Sequence, residues 1–323
     1  MHNTWYPLRF KPILKEKLWG GHQLRDLLHK TSKAAPYGES WEISDLPDDQ
    51  SIVSNGVHIG KTLGELNNAF AKAVLGQKVA AHYGTKFPLL IKFIDAADDL
   101  SVQLHPNDAI AEKEHDSFGK TEMWYIVHAE PSAQIIVGFN KAMTAERFEK
   151  TITENTLTQD LQYIPVKAGD AFFIDAGLIH AIGKGVVLAE IQQTSDITYR
   201  VYDYERKQQD GTYRDLHIDQ AKVAIDYSED TSYILDYNRE AVGAQPLKHS
   251  RYFKTDIVHL ATAFYTVSRT DSFTIIIALN GTLTLIASGV PETLAKGETI
   301  LIPAACEEVT ITGSGSKFLE VYL

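Results

Sequence analysis

Cysteine is nearly absent: Cys306 is the single one in 323 residues, so no disulfide can form within the chain. That usage fits a reducing cytoplasm. Basic residues are outnumbered, with 31 lysines and arginines against 42 acids and a formal net charge of −11. A nucleic-acid binder needs a basic patch, and this balance argues against one. The same negative field opposes an anionic substrate at long range, so a phosphorylated small molecule requires a local cluster of cations. No apolar run approaches bilayer-spanning length; Ile275 to Leu279 is only a short strand core. The opening Met1-His2-Asn3-Thr4-Trp5-Tyr6-Pro7 lacks the basic-then-apolar order of a secretory leader. Neither Gly-x-Gly-x-x-Gly nor a P-loop is found. The expectation is a soluble cytoplasmic protein with no nucleic-acid or membrane partner, monomer or homodimer.

What is present is an ordinary globular composition, 44% hydrophobic and 23% charged. The length suits two domains. Thr62 to Gly76 reads as a helix with Leu63, Leu66, Phe70 and Val74 at helical spacing. Thr62 and Glu65 form its capping box. Short helices are also predicted over Gln23 to Leu28, Asn107 to His115 and Thr144 to Thr151. Leu18-Trp19-Gly20-Gly21 reads as a turn, residues 205–216 as a charged, solvated loop, and 228–250 as a linker. Trp41-Glu42-Ile43-Ser44 is a predicted strand carrying a packed tryptophan and a structural carboxylate. Elsewhere the chain runs in short β-branched and aromatic stretches broken by glycine and proline, which predicts a sandwich or barrel rather than a parallel sheet.

The chemistry gathers around Ser101-Val102-Gln103-Leu104-His105-Pro106. If extended, this stretch points Ser101, Gln103 and His105 to one face and Val102 and Leu104 to the other. Gly119-Lys120-Thr121-Glu122 then sets a carboxylate at the start of an apolar strand, and Asp175-Ala176-Gly177 turns to deliver His180. Gln103, His105, Glu122 and His180 offer nitrogen and oxygen donors, a set that suits zinc with an open position. Lys120, two residues before Glu122, shares its face if the segment is extended. Lys92 interrupts the apolar Pro88 to Ile94, either snorkelling at an edge or contacting substrate. Glu190 lies in the apolar Val186 to Gln192; burial would raise its pKa and suit it to act as a base, unless it is a structural carboxylate paired with a cation.

Gln103-Leu104-His105-Pro106, Gly119-Lys120-Thr121-Glu122, Ala176-Gly177-Leu178-Ile179-His180-Ala181 and Ser195-Asp196-Ile197-Thr198-Tyr199-Arg200 stand in an order that resembles type I mannose-6-phosphate isomerases, the short bacterial form above all. Gly38 to Ser44 and Tyr199 to Tyr204 resemble further blocks of that family. Gly169 precedes His180 by eleven residues, and Gly297 precedes Glu308 by the same interval. Both stretches resemble the second half of a cupin signature. The resemblance implies a mainly β chain of two cupin-type jelly rolls with short helical insertions, residues 1–240 catalytic and 241–323 degenerate. It implies one zinc per chain on Gln103, His105, Glu122 and His180, with Glu308 in the histidine's place in the second copy. It implies a sugar phosphate substrate isomerised through an enediol, with Arg200, Glu190 and Lys120 catalytic. Substrate contacts fall to Lys92, Lys120, Ser101, Asp196 and Arg200. A cupin isomerase of another sugar, or a non-catalytic metal-bound sugar sensor, are the competing expectations. The other histidines are expected to be surface or structural.

Overall fold

The computed structural model describes residues 5–208, 210–228, 233–261 and 264–323. The leader reading of residues 1–4, His2 with it, Gln209 of the charged loop and positions 229–232 of the linker lie outside the described residues. The chain is mainly β and forms two pairs of sheets and a separate two-stranded one, Asp45–Leu46 with Asp49–Gln50. The first pair sets a six-stranded sheet against a five-stranded one. The six strands run in the order Ile13–Gly21, Tyr37–Ile43, Leu89–Ala96, Val186–Gln193, Glu122–Ala129 and Ala171–Ile174. The five run Tyr199–Tyr202, Val102–Leu104, His180–Ile182, Gln134–Phe139 and Leu161–Pro165. The second pair, a five-stranded and a four-stranded sheet, is built from Gly243–His249 through Ser316–Tyr322. Among the described residues the inter-strand pairings are antiparallel, in keeping with the sandwich or barrel that the short strands and turn residues predicted.

Alternation decides what each face does. On the six-stranded sheet Leu89, Ile91 and Phe93 point outward into a core shared with Ile257, Phe273 and Ile275 of the second pair. Phe87 and Phe273 meet there with ring centroids 4.6 Å apart. Ile94, Trp124 and Leu188 point inward and pack against Ile135, Val137 and Ile182 of the opposing sheet. Val102 and Leu104 face the other way, under Phe148 and Ala221 of the helices Ala145–Thr153 and Ile218–Ala224. Gln103 and His105 are thereby left for the interior of the first sandwich, as period-two alternation predicted.

The helix Leu63–Leu75 carries the predicted capping box: Thr62 Oγ1 accepts from Glu65 N at 3.1 Å and Glu65 Oε2 accepts from Thr62 N at 2.8 Å. Asn107 and Thr144 cap Asp108–His115 and Ala145–Thr153. The predicted turn at Leu18 to Gly21 is instead the end of the long first strand, with a large irregularity between Glu16 and Gly21 opposite Tyr37. Glycine serves there to let two backbones approach, since a Cβ on Gly20 would stand 2.5 Å from Gly38 N. The linker reading of 228–250 also fails in part, because Gly243–His249 is the edge strand of the second pair. Its Pro246 and polar residues mask a strand that needs only one partner. Glu308 is exposed and Cys306 buried. Among the described residues no helix is long and apolar enough to cross a membrane.

Candidate metal centre and active site

The two sheets of the first pair each bring a row of polar side chains to the interior. Across the six-stranded sheet Trp41 pairs with Lys92, Lys92 with Glu190, and Glu190 with Trp124. Across the other, Arg200 pairs with Gln103 and Gln103 with His180. Glu122 opens the strand beside Gln192. The rows close around a cavity of about 510 Å³, lined among others by Lys92, Ser101, Gln103, Lys120, Glu190 and Arg200.

His105, Glu122 and His180 come together, each 1% exposed, and His180 carries the group to the cavity wall. His105 Nε2 lies 3.5 Å from Glu122 Oε2, and His180 Nε2 lies 3.6 Å from Glu122 Oε1. Both imidazoles are oriented by backbone carbonyls: His105 Nδ1 is 2.8 Å from Ile197 O, and His180 Nδ1 is 2.9 Å from Leu178 O. A carbonyl only accepts, so Nδ1 carries the proton and Nε2 turns its lone pair to the centre. Burial pushes the His180 imidazole down to about 4 and holds His105 well below its ordinary value, aided by the Lys120 ammonium and His180 beside it. Both rings are therefore neutral near pH 7, the state that binds metal. His180 Nε2 is buried and has no hydrogen-bond partner. An orphaned lone pair facing a second imidazole and a carboxylate is what a metal ligand set requires, so these residues fit a divalent cation. Gly177, at φ +91°, makes the turn that delivers His180, and its N–H donates to His105 O at 2.8 Å.

The other predicted residues gather here too. Lys120 Nζ stands 2.8 Å from Glu122 Oε2 and 2.9 Å from His105 Nε2. Lys92 is neither at an edge nor exposed; its ammonium lies 3.4 Å from Glu190 Oε1 and 4.9 Å over the Trp41 ring. Trp124 Nε1 donates to Glu190 Oε2 at 3.1 Å, while Oε1 receives no hydrogen bond. Burial, then the neighbouring Glu122, raise the Glu190 carboxyl. Glu39 contrasts with it: burial works to raise that carboxyl too, but the Lys92 and Lys17 ammoniums outweigh it and the net direction is down. Arg200 Nε donates to Ser101 Oγ at 3.2 Å and Nη1 to Asp215 O at 3.0 Å. Asp196 lines the cavity but is exposed, and no hydrogen bond joins it to Arg200 among the described residues.

Several lining residues escaped the sequence reading. Trp41 is packed, as expected, but on the cavity wall, where its Nε1 donates to Glu39 Oε2 at 2.6 Å. Glu42 is the structural carboxylate, buried against Lys30 Nζ at 2.6 Å. Lys15, Lys17 and Trp19 line the same wall from the strand misread as ending in a turn. His217, set aside as a bystander, accepts from Arg200 N through Nδ1 at 3.2 Å. Arg214 of the loop read as solvated lines the cavity and forks onto Asp203.

The type I phosphomannose isomerase catalytic-domain family matches residues 8–121, and the mannose-6-phosphate isomerase cupin-domain family matches 245–322. The mannose-6-phosphate isomerase ManA of Bacillus subtilis is 42% identical over 224 residues, 69% of each chain. The Bacillus subtilis protein YvyI is 34% identical over 317 residues, 96% of this chain and 97% of its own. The crystal structure of the mannose 6-phosphate isomerase from Bacillus subtilis superposes with a TM-score of 0.90 at 32% identity, covering 99% of this chain and 100% of that one. Full-length likeness in sequence and fold, together with a buried His-Glu-His centre inside the first pair of sheets, establishes that the chain belongs to the type I mannose-6-phosphate isomerase family.

Proposed function

We propose that the protein interconverts mannose 6-phosphate and fructose 6-phosphate, with one zinc ion per chain on Gln103, His105, Glu122 and His180. The observation that carries this reading is the buried His105–Glu122–His180 triad, whose His180 lines one cavity with Gln103, Lys120, Glu190 and Arg200. Nitrogen and oxygen donors suit zinc. When bound, the ion supplies a Lewis acid that polarises the sugar carbonyl. Residues 1–240 carry the chemistry, and 241–323 cover the outer face of the six-stranded sheet.

Isomerisation moves a proton from C2 of the aldose to C1 of the ketose through an enediol. Glu190 is suited to take and return that proton, because its Oε1 is free of hydrogen bonds and its carboxyl is raised towards the working range. Lys92 and Trp124 orient it. Lys120 stands beside the ligands and is suited to the sugar oxygens rather than to a distant phosphate. Arg200 faces the developing negative charge, with Ser101 fixing its plane and Asp196 available to a sugar hydroxyl.

Metal-replete protein given mannose 6-phosphate in a coupled assay is expected to form fructose 6-phosphate, and chelation is expected to stop it. Binding without turnover would favour the sensor. A further expected result concerns pH. The acidic limb of kcat/KM should lie above the ordinary glutamate value of 4.5. Lys92→Met should move that limb higher, because the Lys92 ammonium favours the ionised carboxylate and its loss makes protonation easier. A limb that stays put or falls would separate Glu190 from the role of base.

A further inference from the structure

We propose that Gln193, held by Asp108, is a positioning residue that sets where Lys120 and Glu122 stand at the metal centre; this rests on reading the triad as metal ligands. Residues 119–121 precede the strand Glu122–Ala129 and lie outside its ladder. Their three successive N–H groups are nevertheless all taken. Gly119 N donates to Asp108 Oδ1 at 3.0 Å, Lys120 N to Pro106 O at 3.1 Å, and Thr121 N to Gln193 Oε1 at 2.9 Å. Gln193 Nε2 in turn donates to the same Asp108 Oδ1 at 2.9 Å, and Gln193 N donates to Thr121 O at 3.2 Å.

The amide is therefore fixed in one sense, its oxygen on a peptide N–H and its nitrogen on a carboxylate. The brace reaches the other ligands as well. Thr121 Oγ1 accepts from Ala176 N at 3.3 Å in the turn before His180, and Pro106 follows His105 directly. Gln193 touches no ligand side chain in this network; it acts through the backbone of residue 121. Gln193 has no part in the proposed binding or proton transfer, and its side chain is buried. Misplacing a reacting group by about 1 Å can cost roughly a hundredfold in rate, and loss of an outer support to a metal ligand costs about 10–100-fold in affinity or activity.

The test uses the full chain. Gln193→Glu preserves size and the acceptor for Thr121 N, but sets a second carboxylate against Asp108. Adding Asp108→Asn removes the like charge, but the one atom that accepts from both Gly119 N and Gln193 Nε2 cannot become both acceptor and donor, so the repair is partial. Read-outs are kcat and KM for mannose 6-phosphate at saturating metal, the visible absorption of the cobalt-loaded protein, and Tm. Gln193→Glu is expected to lower kcat about 10–100-fold with KM little changed and to shift the cobalt bands, and the double variant, freed of the like charge, to recover part of both. Gln193→Met, which removes both hydrogen bonds without adding charge, should show the same loss with no rescue by Asp108→Asn. Variants that lower only Tm, with parental kcat per loaded chain and parental cobalt bands, would overturn the proposal. A parent chain that binds cobalt yet leaves mannose 6-phosphate unchanged would instead refute the substrate reading, and the cobalt bands alone would then decide the role of Gln193.

Discussion

His105→Ala and His180→Ala are each expected to release the metal and abolish turnover together. Structural zinc sites bind with about 10–16 kcal/mol, so an even share over four donors is roughly 3 kcal/mol per ligand, more than a hundredfold in affinity. The loss here has no local remedy. Each ring is 1% exposed and oriented by a carbonyl on its far nitrogen, so the cavity left by alanine faces protein rather than bulk solvent. Glu122 would retain the Lys120 ammonium at 2.8 Å as a competing cation, which further disfavours a metal held by fewer donors. Metal content after gel filtration, measured with kcat on the same sample, checks the result. Stoichiometric zinc with near-normal turnover in either variant would remove that histidine from the ligand set.

The centre was legible because strand alternation is a strict rule. Once Val102 and Leu104 are recognised as apolar, Gln103 and His105 must share the opposite face, and the structure puts Val102 and Leu104 under helices and His105 in the buried triad. The capping box at Thr62 was readable for a similar reason, since its partners lie three residues apart. What escaped depends on contacts distant in sequence. Lys15 and Lys17 look like surface residues of an irregular segment until Tyr37–Ile43 pairs beside it and turns them to the cavity. Gly20 signals a close approach of two backbones, but in a sequence that is indistinguishable from a turn glycine. Arg214 lies in the charged loop and His217 just after it, and the loop's return over Arg200 is set by Asp203 and the carbonyl of Asp215. The strand Gly243–His249 stayed hidden because an edge strand can be polar and contain proline.

Arg200→Ala is expected to keep the metal and lose about 10²–10³ in kcat, the usual cost of removing one preorganised donor to developing negative charge. With a net charge of −11, the protein needs an unneutralised local cation to hold an anion. Of the cations lining the cavity, Lys15 pairs with Asp49, Lys17 with Glu39, Lys92 with Glu190, Lys120 with Glu122 and Arg214 with Asp203. Arg200 alone among these described residues gives its side-chain hydrogen bonds to neutral oxygens, those of Ser101 and the Asp215 carbonyl. Burial, then the nearby Arg214, lower its pKa, yet a guanidinium remains charged near neutrality. It is thus a half-buried positive charge whose natural partner is an anion from outside the chain. If that anion is the enediolate, which exists only along the reaction path, alanine lowers kcat and kcat/KM together and leaves KM nearly unchanged. If it is the phosphate, which is charged throughout, alanine raises KM and spares kcat. Its register opposite Gln103, one strand from His180, favours the first outcome. Steady-state kinetics of Arg200→Ala at stoichiometric metal separate the two, and a change in KM alone would reassign Arg200 to ground-state phosphate binding.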